Sequence, residues 1–322
     1  MLLFGENSQK FVIFIIFVFI SCCLFAQEPE APGIDLLHYY SFTPKILEDG
    51  TQNDFTFGSF YNAKTEMQEQ KFSGEVRGRT IKTSGMGEIW DITDSMLTSE
   101  NETYEVFFLP GNYQFLSLSN FSLRAGIGAY YNFNKAYRKG YFNDKSLYED
   151  PLKPDHYNAY VYDFKGHAVG PILDLDISFK WKFLNLSFSG GVVPIYYFYQ
   201  DTSLKLSPLM TPSEFSVSGG ETSGPYYYLN LDLAVNFFDY VTLFVTLFNE
   251  YSNLKYNSIT FDEAGAWTSL AVTDEYRTLA LEISLLINLK GGLFSQLGYG
   301  RTFDEENGGK NYFILGVKKL GI

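Results

Sequence analysis

The sequence predicts an all-β protein, a transmembrane antiparallel up-and-down β-barrel of about 12 strands, with about 8 or 10 as alternatives. Three observations predict it. Apolar and polar residues alternate with a period of two along many stretches, and successive side chains leave a strand on opposite faces. In each stretch one set is aliphatic or aromatic while the other carries charge, the division expected between lipid and a polar interior. The connections alternate between short and long, as the turns and loops at the two ends of such a barrel do.

The clearest stretch is Leu229 to Ser252. Leu229, Leu231, Leu233, Val235 and Phe237 alternate with Asn230, Asp232, Ala234 and Asn236. Val241, Leu243, Val245 and Leu247 then alternate with Thr242, Thr246, Glu250 and Ser252, with Phe244 and Phe248 breaking the polar set. Phe238-Asp239-Tyr240 joins the two runs as a tight hairpin. From Leu279 to Leu289 the odd positions are all Leu or Ile, and Glu282, Ser284 and Asn288 alternate with them. Leu173, Leu175, Ile177, Phe179 and Trp181 are set against Asp174, Asp176, Ser178 and Lys180. Phe121 to Phe133 sets Phe121, Leu123, Ala125, Ile127, Ala129, Tyr131 and Phe133 against Arg124, Gly126, Gly128 and Asn132.

These patterns place strands near 121–133, 168–182, 184–200, 225–237, 241–256, 275–289, 292–304 and 311–321. Connections 182–184, 238–240 and 290–291 are tight. Connections 134–167, 201–224, 257–274 and 305–310 are longer and rich in Gly, Pro, Asp, Asn, Ser and Tyr. The parity puts both ends of this block on the short-turn side. Residues 34–118 alternate weakly. Asp54 to Asn62 reads as a strand, as does Thr103 to Phe108 with Tyr104, Val106 and Phe108 outward, continuing past Pro110. Lys71 to Thr83 carries Glu75, Arg77, Arg79 and Lys82 with little alternation. Either four weaker strands open the barrel here, or the region is a separate N-terminal piece.

Ahead of it, Phe11 to Phe25 is an apolar run preceded by Lys10 and ending at Ala26 before Gln27-Glu28-Pro29-Glu30. Residues 1–26 read as a secretory signal peptide cleaved after Ala26, with 27–33 a linker and 34–322 the barrel. A variant is lipidation of Cys22 in Phe19-Ile20-Ser21-Cys22. A membrane anchor helix is the other reading, but the run is short for a span.

The chain has 322 residues, net charge −13, 25 Tyr and 31 Phe. Its mean hydropathy of −0.09 does not exclude a membrane, because alternation hides apolar content. The aromatics suit interfacial girdles. The acidic balance argues against a nucleic-acid partner. The 2 Cys both precede Ala26, so the barrel holds no disulfide or cysteine metal framework.

On these residues the chain resembles bacterial outer-membrane β-barrel proteins as a class, well over Phe121 to Ile322 and weakly over Ile34 to Leu118. Its ending, Leu320-Gly321-Ile322, is similar to the terminal signal read by the barrel assembly machinery, with Ile in place of the usual aromatic. Fatty-acid transporters and small porins are similar in outline, without a motif that singles out either. The resemblance implies residence in the bacterial outer membrane, with membrane lipid, the assembly machinery and small solutes as partners.

Arg124, Asp174, Asp176, Lys180, Asp232 and Glu282 fall on inward positions and are expected to line the lumen. They fit a polar, acidic passage that conducts small solutes without strong selection. They also fit a closed interior in which the charges pair and fill the barrel, leaving long tyrosine-rich loops as a structural or adhesive platform. The 134–167 connection, with Tyr137, Tyr141, Phe142, Tyr148, Tyr157, Tyr160 and Tyr162, is the most distinctive such loop. Catalysis is not expected. His167 has no Ser two residues away on its strand face, His38 and His156 fall in linker or loop, and no group has metal-ligand spacing. No cofactor is implied. Asn101-Glu102-Thr103 and Asn185-Leu186-Ser187 match the glycosylation triplet by chance, and Gly190-Gly191 and Gly291-Gly292 read as bend and turn. The facing also predicts that Ile283→Arg impairs folding and Ser284→Arg does not.

Overall fold

The computed structural model describes residues 34–65, 68–85, 89–91, 94–118, 120–143, 157–207, 213–237, 240–261, 267–290, 293–304 and 309–319. The expected signal peptide and linker lie outside them. The described chain is one antiparallel sheet closed into a barrel of twelve strands. They are β1 (Ile34–Leu47), β2 (Gly50–Thr65), β3 (Gln68–Gly85), β4 (Asp94–Ser117), β5 (Phe121–Asn143) and β6 (Tyr157–Trp181). Then come β7 (Leu184–Val193 continued by Tyr196–Ser207), β8 (Ser213–Ser223 continued by Tyr226–Phe237), β9 (Val241–Phe261), β10 (Trp267–Lys290), β11 (Leu293–Asp304) and β12 (Asn311–Lys319). A short piece, Ile89–Asp91, pairs with the start of β4. Closure is made by β1 on β12, from Tyr40↔Lys319 to Leu47↔Tyr312. Residues 34–117 are therefore the first four strands of the same sheet.

The facing follows the alternation. Leu173 is 52% exposed and Asp174, its neighbour, 4%. Leu229, Leu231 and Phe237 are exposed, as are Leu281, Ile283, Leu285, Ile287 and Leu289. On β6 the outward residues from Val169 to Phe179 are all apolar. At roughly 3.3 Å per residue and a tilt of about 40°, that run covers about 25 Å, the height of an outer-membrane apolar band. Aromatics mark both of its edges. Tyr104, Phe133, His167 and Tyr199 form one cross-strand row at the far end. Phe179, Trp181, Phe183, Phe237 and Tyr240 are exposed at the short-turn end.

Several strands run well past the band, which corrects the predicted loops. The connection expected over 134–167 is mostly a hairpin, since Asn134 to Asn143 pairs with Gly166 to Tyr157. Tyr137, Tyr141, Phe142, Tyr157, Tyr160 and Tyr162 thus belong to β5 and β6, and Tyr148 lies outside the described residues. Likewise β7 and β8 continue to Ser207 and from Ser213, and β9 and β10 pair out to Phe261↔Trp267. His38 lies in β1 and not in a linker; His156 is outside the described residues.

The wall is irregular at one place. Opposite β6, Val192 and Tyr197 of β7 pair with Leu173 and Val169, so β7 carries an extra residue at Pro194-Ile195, a bulge where proline cannot donate. Beside it β8 breaks at Gly224-Pro225, with Gly224 at φ 124°, a region closed to most side chains. The β8–β9 ladder runs from Phe237↔Val241 to Tyr226↔Ser252. Asn253 still exchanges backbone bonds with Gly224 and Pro225 (3.0 and 3.1 Å), and beyond it side chains take over. Ser223 Oγ accepts from Lys255 N (3.0 Å) and donates to Lys255 O (3.3 Å). The Gln200 amide of β7 donates to Asn257 O (2.6 Å) and accepts from Asn257 N (3.0 Å). The outer half of β9 is thus drawn against the inner face of β7.

Candidate functional site

The site is the lumen. Two groups of strands furnish it differently. From β4 to β8 the inward residues form an aromatic and aliphatic cluster that includes Phe107, Leu109, Tyr130, Ile172, Val193, Tyr196, Phe198, Tyr226 and Tyr228. From β1 to β3 and β9 to β12 they are more polar and include most of the charged groups of the lumen. Gly191 of β7 leaves room for the Tyr228 ring of β8, since a Cβ there would lie 2.5 Å from it.

The middle of the lumen is bridged from wall to wall. Arg77 and Arg79 leave β3 on its inner face. Arg77 Nη1 donates to the Tyr228 hydroxyl of β8 (2.8 Å) and approaches Asp174 of β6 (3.3 Å), while its Nη2 lies 3.7 Å from Asp176. The Tyr228 hydroxyl in turn donates to Asp174 (2.6 Å), and Glu75 pairs with Arg77 along β3. Arg79 crosses to Glu250 of β9 (2.8 Å), with Glu105 and Asp54 each at 3.6 Å. Its guanidinium lies 4.9 Å from the Phe248 ring centre. Beside this brace, Phe107 meets Tyr228 at 5.1 Å and Tyr130 stacks on Tyr226 at 4.8 Å. A further pair joins Lys45 of β1 to Asp54 (2.8 Å) and to Glu282, whose carboxylate also accepts from Tyr312 (2.8 Å).

Two cavities flank the brace. One of about 480 Å³ and one of about 250 Å³ share Arg79, Ile81, Glu250 and Tyr276 as lining. The larger carries Lys45, Arg77, Arg79, Lys310 and Lys318 against Asp49, Asp54, Asp232, Glu250 and Glu282. Its charges therefore balance, where the sequence suggested an acidic lining. The missed cations sit on β1, β3 and β12, whose alternation is weak or short.

Of the residues expected in the lumen, Asp232 and Glu282 line the larger cavity. Asp174 and Asp176 are drawn into the Arg77 network. Arg124 is the ladder partner of Asp176, and Lys180 stands exposed at the short-turn end. Phe244 and Phe248, which interrupt the polar set on β9, lie beneath Lys318 and Arg79 as cation–π partners. Ser284 is 3% exposed and accepts from Gln296 (3.0 Å), so an arginine there would be crowded, contrary to the tolerance expected of that position. His167 is on the outward face, its Nδ1 3.0 Å from the Tyr131 hydroxyl and its ring 4.7 Å from that of Phe133. Among the described residues no group of three or more His, Cys, Asp or Glu is placed to hold a metal.

No protein family profile matches the chain, and no curated protein matches it. Solved structures share its fold at low identity. The translocator domain of the autotransporter NalP from Neisseria meningitidis is 12% identical, covering 97% of each chain, with TM-score 0.41. The toluene transporter TbuX of Ralstonia pickettii is 9% identical over 89% of this chain and 90% of its own, with TM-score 0.48. The outer membrane protease OmpT of Escherichia coli is 10% identical over 90% and 95%, with TM-score 0.39. At such identities the likeness concerns the fold alone. The closed sheet, its apolar band and the aromatic rows at both edges are the architecture of an antiparallel membrane-spanning β-barrel.

Proposed function

We propose that the barrel is a passage for small solutes across the outer membrane, narrowed at its middle by the Arg77 and Arg79 brace. One observation carries the reading: two cavities with charged residues in their walls both reach the Arg79–Glu250 contact. A barrel built only as a filled support has no need of open, charge-bearing space around such an ion pair. The balanced lining of the larger cavity favours weak selection between cations and anions there, because neither sign raises the local concentration of counter-ions strongly. Neutralising Asp174, Asp176, Asp232 and Glu282 together removes partners of Arg77 and Lys45, so it perturbs the brace as well as selectivity.

The test is a planar bilayer recording of purified protein. The wild type is expected to give small discrete steps, and Glu250→Gln or Arg79→Ala larger ones. A folded barrel that conducts in none of these forms refutes the passage. It would favour the second reading, a closed platform presenting its extended β5–β6 hairpin, which the cross-lumen aromatic contacts support. Either role requires export by residues 1–26. Cell fractionation tests it, and incorporation of labelled palmitate would replace cleavage after Ala26 by lipidation at Cys22.

A further inference from the structure

Most charges around the larger cavity already have partners: Lys45 with Asp54 and Glu282, Arg79 with Glu250, Lys310 with Asp49. Two do not. Lys318 of β12 makes no ion pair among the described residues, and its Nζ lies 4.6 Å from the centre of the Phe244 ring on β9. Asp232 of β8 accepts one hydrogen bond, from the Thr246 hydroxyl at 2.7 Å, and no cation. Both line the cavity. A third group there is incomplete. Gln296 of β11 is 5% exposed, donates its amide to Ser284 Oγ at 3.0 Å, and leaves its carbonyl oxygen without a partner.

We propose that this end of the lumen binds a small zwitterion, a molecule carrying an ammonium and a carboxylate a few bonds apart, such as an amino acid. The proposal rests on the passage reading, for which it names the solute class. The argument is one of charge compensation. A half-buried charge without a close counter-ion is costly, and water compensates it less fully in a confined space than in bulk. A simple anion would compensate Lys318 while adding a second negative charge near Asp232. A simple cation would do the reverse. A zwitterion meets both: its carboxylate takes the Lys318 ammonium, and its own ammonium takes the Asp232 carboxylate. The Phe244 face, now beneath Lys318, is a second surface for the incoming ammonium, and the Gln296 oxygen is a further acceptor for it. The cavity, at about 480 Å³, has room for such a molecule.

Full-length mature protein in lipid nanodiscs should be titrated calorimetrically at neutral pH with glycine and β-alanine, and with acetate and methylammonium as singly charged halves. At least one zwitterion is expected to bind tenfold or more tightly than either half. Lys318→Met and Asp232→Asn should each abolish that advantage, while Lys318→Arg keeps it. Heat-modifiable migration in electrophoresis shows which variants hold the barrel, and the Arg variant controls for a merely structural role. Equal binding of zwitterions and halves, or an advantage unchanged in Lys318→Met and Asp232→Asn, overturns the site. So does the absence of binding, the result expected if Lys318 and Asp232 turn to pair with each other. Binding without bilayer conductance would leave the site standing and refute the passage; conductance without zwitterion binding would do the opposite.

Discussion

Replacing Ile283 by arginine puts the facing of the barrel to a quantitative test. Ile283 lies between Val245 of β9 and Tyr299 of β11 in the ladder, 48% exposed, near the centre of the outward run Leu279 to Leu289. An arginine on the lipid face costs roughly 2–4 kcal/mol at the midplane and about 0–1 kcal/mol near an interface. Leu289, at the short-turn end of the same run, supplies the interfacial comparison. The two substitutions should therefore differ by about 2–3 kcal/mol, roughly two powers of ten in the folding equilibrium. Asn236 supplies the inward control. It is exposed inside the short-turn end and accepts from Thr242 at 2.7 Å, so Asn236→Arg should cost about 1 kcal/mol, one hydrogen bond. Reversible urea unfolding from lipid vesicles, followed by tryptophan fluorescence, gives the three values. If Ile283→Arg and Leu289→Arg agree within about 1 kcal/mol, the outward face does not meet hydrocarbon and the membrane assignment fails.

Three more expectations follow from contacts inside the barrel. Gly191→Ala should destabilise by about 1–3 kcal/mol through overpacking on Tyr228, and Tyr228→Ala in the same background should remove most of that penalty, as a double-mutant cycle would read. Arg79→Met leaves Glu250, Glu105 and Asp54 without their common cation and should cost about 3–5 kcal/mol in urea unfolding, with Arg79→Lys markedly milder. Gln200→Leu removes two hydrogen bonds to Asn257, together worth roughly 1–3 kcal/mol, so amide exchange over 253–261 should quicken by about tenfold or more while the short-turn half stays protected. Unchanged exchange there would mean that the outer half of β9 is held by other contacts.

Which residues face lipid was legible from Phe121 onward, because each outward side chain answers separately to the hydrocarbon around it. Leu231, Leu285 and Leu173 needed no partner to be placed. The same logic explains where the reading weakened. On β3 the outward set is Gly74, Val76, Gly78, Thr80 and Lys82, which carries little apolar signal; the Phe55 ring of β2 lies over Gly78. Beyond the band both faces of a strand meet water, so 134–143 and 157–166 lose their alternation while their backbone pairing continues.

Composition and period by themselves thus determined an all-β barrel, its lipid face, its parity and the inward position of Asp174, Asp176, Asp232 and Glu282. Only the tertiary structure decided what those carboxylates meet. Arg77 finds Tyr228 across 151 residues of sequence and Arg79 finds Glu250 across 171. Alternation records one residue against its surroundings, whereas a contact across the lumen depends on how many strands close the ring and with what stagger. That geometry braced the interior, set cations against the carboxylates of the larger cavity, and left Lys318 and Asp232 without a close counter-ion.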